Sequence, residues 1–213
     1  MKKLIYIYDA YCPWCYAFTS VVGQLYENYH EEFEFEVLSG GMLIDDRVQK
    51  IGGVEASKRL RTSYQSITDR TGVGFGEAFF EAVQKKGMVM NSEIPARALA
   101  VFRELDTPYS AISFVHQLLK TLFLKGHNPA EEDFYRDLLP HFQLDAEYFI
   151  EKMQEEYYQQ LARYDFALAK QLQADAFPRL YFQTSDTYFH LIAKGYSDYE
   201  RIVQIIEKIK VEK

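Results

Sequence analysis

The sequence predicts an α/β protein whose sheet-forming ends are separated by a long helical block. Three features point to it. An apolar strand runs directly into a Cys-x-x-Cys at the start of a helix near the N-terminus. Residues 54–172 are mostly helical in period, and the chain returns to strand, strand and helix at its end.

Each element has its own signal. Residues 3–8 read Lys-Leu-Ile-Tyr-Ile-Tyr, a β-branched and aromatic run suited to a buried strand. Phe18, Val21, Val22, Leu25 and Tyr29 then recur at helical spacing. Residues 34–39 alternate polar and apolar as a second strand does, and Gly40-Gly41 ends it. These glycines serve a turn needing positive φ, and their closeness to the dithiol also suits a substrate loop. A helix is expected over residues 54–68. Gly72-Val73-Gly74-Phe75-Gly76 breaks it and reads as a hinge or linker turn, because no strand precedes it and no Gly-Lys-Ser/Thr follows. Helical period resumes over 76–86 and stops at Gly87. Ser92 is a candidate cap for a helix to about Leu105, with Pro95 in its first turn. Thr107-Pro108 offers a cap and a first-position proline for Ile112, Val115, Leu118, Leu119 and Leu122, and Gly126 closes that helix. Asn128-Pro129 repeats the device, with Glu131 and Glu132 at the positive dipole end. Asp145 opens a long helical segment reaching about Leu172. Residues 179–182 and 188–192 read as strands, Gly195 as a turn, and residues 199–210 as a closing helix. Pro178 lacks an N–H and must therefore start or edge its strand.

The chemistry is concentrated at Asp9-Ala10-Tyr11-Cys12-Pro13-Trp14-Cys15-Tyr16, which holds both cysteines of the chain. Unpaired N–H groups and the positive end of the macrodipole at a helix start favour thiolate over thiol. Cys12 is expected at the exposed helix mouth and Cys15 one turn further on the same side. Cys-x-x-Cys thiols at such positions can titrate at roughly 3.5–7 instead of ~8.5. Cys12 would then be both nucleophile and leaving group, and Cys15 could resolve the mixed disulfide. The competing readings are weaker. A disulfide across two residues closes too short a loop to stabilise much. Zinc needs about four ligands; there is no third cysteine, and the closest of the five histidines are 11 residues apart.

Composition narrows the partners. A net charge of −7 without a basic stripe argues against nucleic acid and anionic membranes, and the apolar runs are too short to span a bilayer. Seventeen Tyr and sixteen Phe make an aromatic-rich core, with an apolar groove for polypeptides as the sharper alternative. Asp9 interrupts the N-terminal apolar stretch, and cleavage there would destroy the cysteine site, so a cytoplasmic protein is expected. A leader already removed is the alternative. In a reducing cytosol a dithiol is more often catalytic than structural.

Strand–Cys-Pro-Trp-Cys–helix at one end and Ala-Phe-Pro before strand–strand–helix at the other resemble the thioredoxin fold. The helical block between them resembles the DsbA-like family, and within it the FrnE-like branch, whose Asp-x-x-Cys-Pro-Trp-Cys pattern is matched by Asp9 to Cys15. Asn91-Ser92 and Arg97 resemble a further segment, although Pro95 and Ala96 stand where alanine and histidine are usual. The resemblance implies a thioredoxin-like domain of residues 1–52 and 158–213 and an inserted helical domain of 53–157. It implies that Cys12 attacks, Cys15 resolves, and the Phe177–Pro178 bond is cis. Pro13, Trp14, Phe177 and Pro178 would then contact an extended substrate backbone. Tyr6 occupies the position where a buried acid is frequent, so either Asp9 substitutes for it or proton movement relies on water and the thiols. Pro-Trp in place of Pro-His implies a less oxidising couple. The implied activity is thiol–disulfide oxidoreductase or isomerase on protein, peptide or small-molecule disulfides. No metal and no cofactor beyond the dithiol is expected, and glutathione is a candidate electron donor. Kappa-class glutathione transferases and 2-hydroxychromene-2-carboxylate isomerases resemble the same architecture but usually carry serine at the position of Cys12. A non-catalytic peptide-binding module is the third alternative, and oligomeric state is left open.

Overall fold

In the computed structural model, which describes residues 2–105, 107 and 109–211, the two ends of the chain meet in one sheet. The elements follow as β1 (Lys3–Tyr8), α1 (Pro13–Tyr29), β2 (Glu34–Ser39), β3 (Gln49–Ile51), α2 (Val54–Thr71), α3 (Glu77–Lys85), β4 (Met88–Met90), α4 (Glu93–Glu104), α5 (Ala111–Lys125), α6 (Glu132–Leu138), α7 (Ala146–Gln154), α8 (Glu156–Gln171), β5 (Arg179–Ser185), β6 (Tyr188–Lys194) and α9 (Tyr199–Val211). The main sheet has the order β2-β1-β5-β6. β1 runs parallel to β2, with Tyr6 opposite Val37, and antiparallel to β5, with Tyr6 opposite Leu180.

The alternation of β1 explains its central place. Leu4, Tyr6 and Tyr8 join the large core that includes Phe18, Val22 and Leu25 of α1. Ile5 and Ile7 face the other way, onto Leu38, Ala169 of α8 and Tyr181. A period of two thus buries both faces of one strand. Each fully buried Leu or Ile contributes roughly 1.5–3 kcal/mol.

Several expectations are corrected. The long helical segment from Asp145 resolves into two helices. Asp145 does cap α7, its side chain accepting from Tyr148 N–H at 2.8 Å, but Glu155 is extended at φ −67° and ψ 136° and separates α7 from α8. α8 then turns to pack on α4 and cover β2. Ser110, not Thr107, caps α5, its hydroxyl accepting from Ser113 N–H at 3.1 Å; Asp106 and Pro108 lie outside the described residues. Asn128 does not start a helix. Its amide donates to the Val89 carbonyl and its oxygen accepts from Tyr11 Oη and Ala130 N–H, while α6 begins at Glu132. The segment around Gly74 is pinned, not a hinge: Phe75 packs on Tyr16, Tyr64 and Phe123. A side chain at Gly76 would place its Cβ 2.0 Å from the Leu124 carbonyl oxygen, so glycine there permits the approach to the end of α5. β3 and β4 pair antiparallel as a separate two-stranded sheet that the sequence does not announce, since three residues are too few to show a period.

Candidate active site

The end of β1 and the start of α1 place the dithiol. Cys12 is the N-cap residue, extended at φ −88° and ψ 111°, and Pro13 takes the first helical position. That backbone folds the Cys12 side chain over the first turn, where Sγ accepts from Cys15 N–H at 3.3 Å. Its thiol also lies 3.4 Å from the Phe177 carbonyl, to which it donates. Cys12 is therefore more sheltered than the open helix mouth expected of it: it is 5% exposed. It nevertheless lines a cleft of about 820 Å³, together with Pro13, Trp14, Gly40, Met42 and Phe177. Cys15 is fully buried one turn along. Both are free thiols here. Burial, then the bond to Cys12, pushes the Cys15 thiol well above its ordinary value.

Asp9 organises the surroundings. It is 2% exposed, and its carboxylate is fully engaged. Oδ1 accepts from Tyr11 N–H and from the Ser92 hydroxyl, each at 3.0 Å, and Oδ2 accepts from Met42 N–H at 2.8 Å. One side chain thus ties the dithiol loop to the loop after β2 and to the start of α4. Burial raises its pKa above the ordinary carboxylate value, partly opposed by these three hydrogen bonds and by Arg47. Ser92, expected as a helix cap, instead gives its hydroxyl to Asp9 and accepts from Leu43 N–H at 3.0 Å. Tyr6, where an acid is frequent in similar proteins, is buried, and its hydroxyl donates to the Cys15 carbonyl at 3.2 Å. Burial holds that phenol well above its ordinary pKa, so it serves α1 as a neutral donor.

The opposite wall comes from the far end of the chain. The Phe177–Pro178 peptide bond is cis. Phe177 lines the cleft, whereas Pro178 is buried behind it with its carbonyl accepting from Gly195 N–H at 2.9 Å. The Phe177 ring lies over Gly40; a Cβ there would sit 2.0 Å from its Cε1. Gly40 is thus fixed by close approach, and Gly41 by its φ of 68°. The remaining wall includes Arg47 from the β2–β3 connection and Phe166, Ala167 and Lys170 from α8. None of these four carried a sequence signal as a site residue, because they reach the cleft only through tertiary packing.

A free dithiol at the N-cap of the helix after a central strand, on a β2-β1-β5-β6 sheet interrupted by helices, defines a protein of the thioredoxin-like class. The model of the DSBA-like thioredoxin domain matches residues 3–206, and the chain belongs to that family of thiol–disulfide oxidoreductases. The fold is similar to a candidate protein disulfide isomerase from Nitrosomonas europaea, with TM-score 0.83, 19% identity, and coverage of 100% of this chain and 99% of that one. It is also similar to the cytosolic disulfide reductase DsbM from Pseudomonas aeruginosa, with TM-score 0.79, 18% identity, and coverage of 98% and 99%. DsbM is known as well in complex with GSH. In sequence the chain is 24% identical to the ClpXP adapter protein SpxH of Halalkalibacterium halodurans, over 97% of this chain and 68% of that protein.

Proposed function

We propose that the protein is a thiol–disulfide oxidoreductase in which Cys12 attacks and Cys15 resolves. The asymmetry of the two thiols carries this reading: Cys12 lines the cleft, while Cys15 lies buried one turn deeper, bonded through its N–H to the Cys12 sulfur. As a thiolate, Cys12 attacks one sulfur of the substrate disulfide. A Cys12–substrate disulfide forms and the first substrate thiol leaves with a proton. Cys15, on losing its proton, attacks Cys12 Sγ and releases the second thiol. Two electrons pass from the dithiol to the substrate, leaving a Cys12–Cys15 disulfide. Pro13 and Trp14 on one side and Phe177 on the other would hold the extended chain beside the substrate sulfur, with Pro178 setting the turn.

Reduction or isomerisation in the cytoplasm, with glutathione returning the dithiol, is the direction we favour. The Pro-Trp pair, which leaves no imidazolium beside Cys12, and the fold shared with a cytosolic reductase also known with GSH support it. The test is insulin reduction with glutathione as donor. The native protein should turn over, Cys12→Ser should not, and Cys15→Ser should accumulate mixed disulfides. Absence of all activity in a folded, reduced preparation would overturn the proposal. A second reading, a binding module without turnover, is favoured by the likeness to a protein named as an adapter. Partner binding that survives replacement of both cysteines would select it.

A further inference from the structure

The walls of the cleft carry charge opposite to that of the chain as a whole. The protein has a net charge of −7, yet the cleft is lined by Arg47 and Lys170 and by a single carboxylate, Asp175. Asp175 is taken by Arg179. The nearby Asp45 is taken by Arg163, at 3.3 Å. Asp9 lies buried beneath with both oxygens occupied. Neither cleft cation has an ion-pair partner among the described residues. Arg47 donates through Nη2 to the Gly41 carbonyl at 2.8 Å, which lays its guanidinium along the cleft loop and leaves its other donors available. Lys170 is exposed at the end of α8. Cations lining the cleft into which a reacting sulfur opens raise the local concentration of anions there.

We infer that the cleft selects disulfides bearing a carboxylate close to the reacting sulfur, with Arg47 and Lys170 as the residues that read it. This rests on the proposed thiol–disulfide exchange and specifies its substrate class. The carboxylate can belong to a small disulfide or to an acidic stretch of polypeptide; the chemistry recognised is the same. Arg47 also lowers the pKa of Asp9 from a distance, an effect that acts on all substrates alike. Lys170 has no such second role.

The experiment is oxidation of the reduced protein by three disulfides of similar size: dithiodipropionate (anionic), hydroxyethyl disulfide (neutral) and cystamine (cationic). Trp14, the only tryptophan and a cleft residue, gives the fluorescence signal, and the intact mass of quenched samples verifies it. Each rate is divided by that of the same disulfide with mercaptoethanol, which removes intrinsic reactivity. At low salt the anionic compound should lead the neutral one by about 3- to 10-fold, and cystamine should trail. Near 1 M salt, where the Debye length is about 3 Å, the order should flatten. Arg47→Gln and Lys170→Glu should each shrink the preference. Lys58→Gln, which alters net charge outside the cleft, should keep it. A second arm uses cystine peptides flanked by Glu or by Lys. Preference for the acidic member in either arm supports the inference, and the arm that shows it names the source. Equal normalised rates in both arms, or a preference untouched by the Arg47 and Lys170 changes, overturn it. Failure of hydroxyethyl disulfide to oxidise the dithiol at all would instead bring down the proposed function, and this inference with it.

Discussion

Asp9→Ala is the most informative single substitution. It removes the acceptor of Tyr11 N–H, Met42 N–H and the Ser92 hydroxyl, all in a buried setting. The Ser92 oxygen keeps the Leu43 N–H and its own hydrogen can rotate away, but two backbone N–H groups stay where they are. A buried donor left unmet costs about 1–3 kcal/mol, and removing the buried charge returns part of this, so the expected loss is about 2–4 kcal/mol. Asp9→Asn should cost less. Its carbonyl oxygen can keep Tyr11 and Ser92, and only the Met42 N–H meets an amide in place of an acceptor. The pH dependence has a definite sign. Burial raises the folded pKa of Asp9, so between its ordinary and raised values the native state holds more protons than the unfolded state. Its contribution is therefore complete below the ordinary carboxylate value and declines as pH rises through the folded one. The stability gap between the native protein and Asp9→Ala should narrow over that window. Urea unfolding of both reduced proteins from about pH 4 to about pH 8 measures it. An alanine variant with an unchanged midpoint or an asparagine variant worse than alanine would refute the stapling role, and a gap that widens with pH would refute the raised pKa.

Other expectations follow from neighbouring contacts. Gly40→Ala should cost about 1–3 kcal/mol by overpacking against Phe177 and slow disulfide exchange; Gly23→Ala, where a Cβ meets nothing within 4 Å, should instead stabilise α1 by about 0.5–1 kcal/mol, as urea midpoints will show. Arg103→Met should cost about 3–5 kcal/mol in chemical unfolding, because it strands Asp165. That carboxylate is buried, its pKa raised by burial, and Arg103 meets it at 3.0 Å. A double variant that also replaces Asp165 by Asn, which removes the charge and keeps an acceptor for the Ser39 N–H now bonded at 3.1 Å, should recover part of the loss. Iodoacetamide should label Cys12 before Cys15 in the reduced protein, since Cys15 is fully buried with its thiol pushed up; equal labelling by mass spectrometry would contradict the assigned roles.

The cleft also explains how one loop can be both tight and functional. Gly40 N–H donates to the Tyr8 carbonyl at 2.7 Å, continuing the β1–β2 pairing, while Met42 is held by Asp9. Gly40 and Gly41 are thus fixed between two anchors, with Phe177 packed against Gly40 and Phe166 against Gly41. Small displacements at Asp9 should reach the Phe177 wall through this loop.

Local signals are legible in the sequence where their cause lies within about one helical turn. The apolar run of β1, the proline at the first position of α1, the Asp145 cap and the Gly126 stop all act on groups a few residues away, so periodicity and capping chemistry expose them. Ser92 shows the limit: a hydroxyl can cap its own helix or serve a partner 83 residues off, and the chain carries no mark of which it does. The break at Glu155 lacks a Gly or Pro to announce it and is decided by the different surfaces that α7 and α8 must cover. By itself, then, the sequence determined the dithiol, the helix that carries it and the αβ order of the two ends. The resemblance also implied Phe177 as a site residue, but only the tertiary structure decided the rest of the site: the Phe177 carbonyl on the Cys12 thiol, Asp9 joined to the loop after β2, and Arg47 and Lys170 around the opening. The reason is physical. Backbone preferences are set by near neighbours, whereas a cleft exists only once burial of distant apolar faces has brought its walls together.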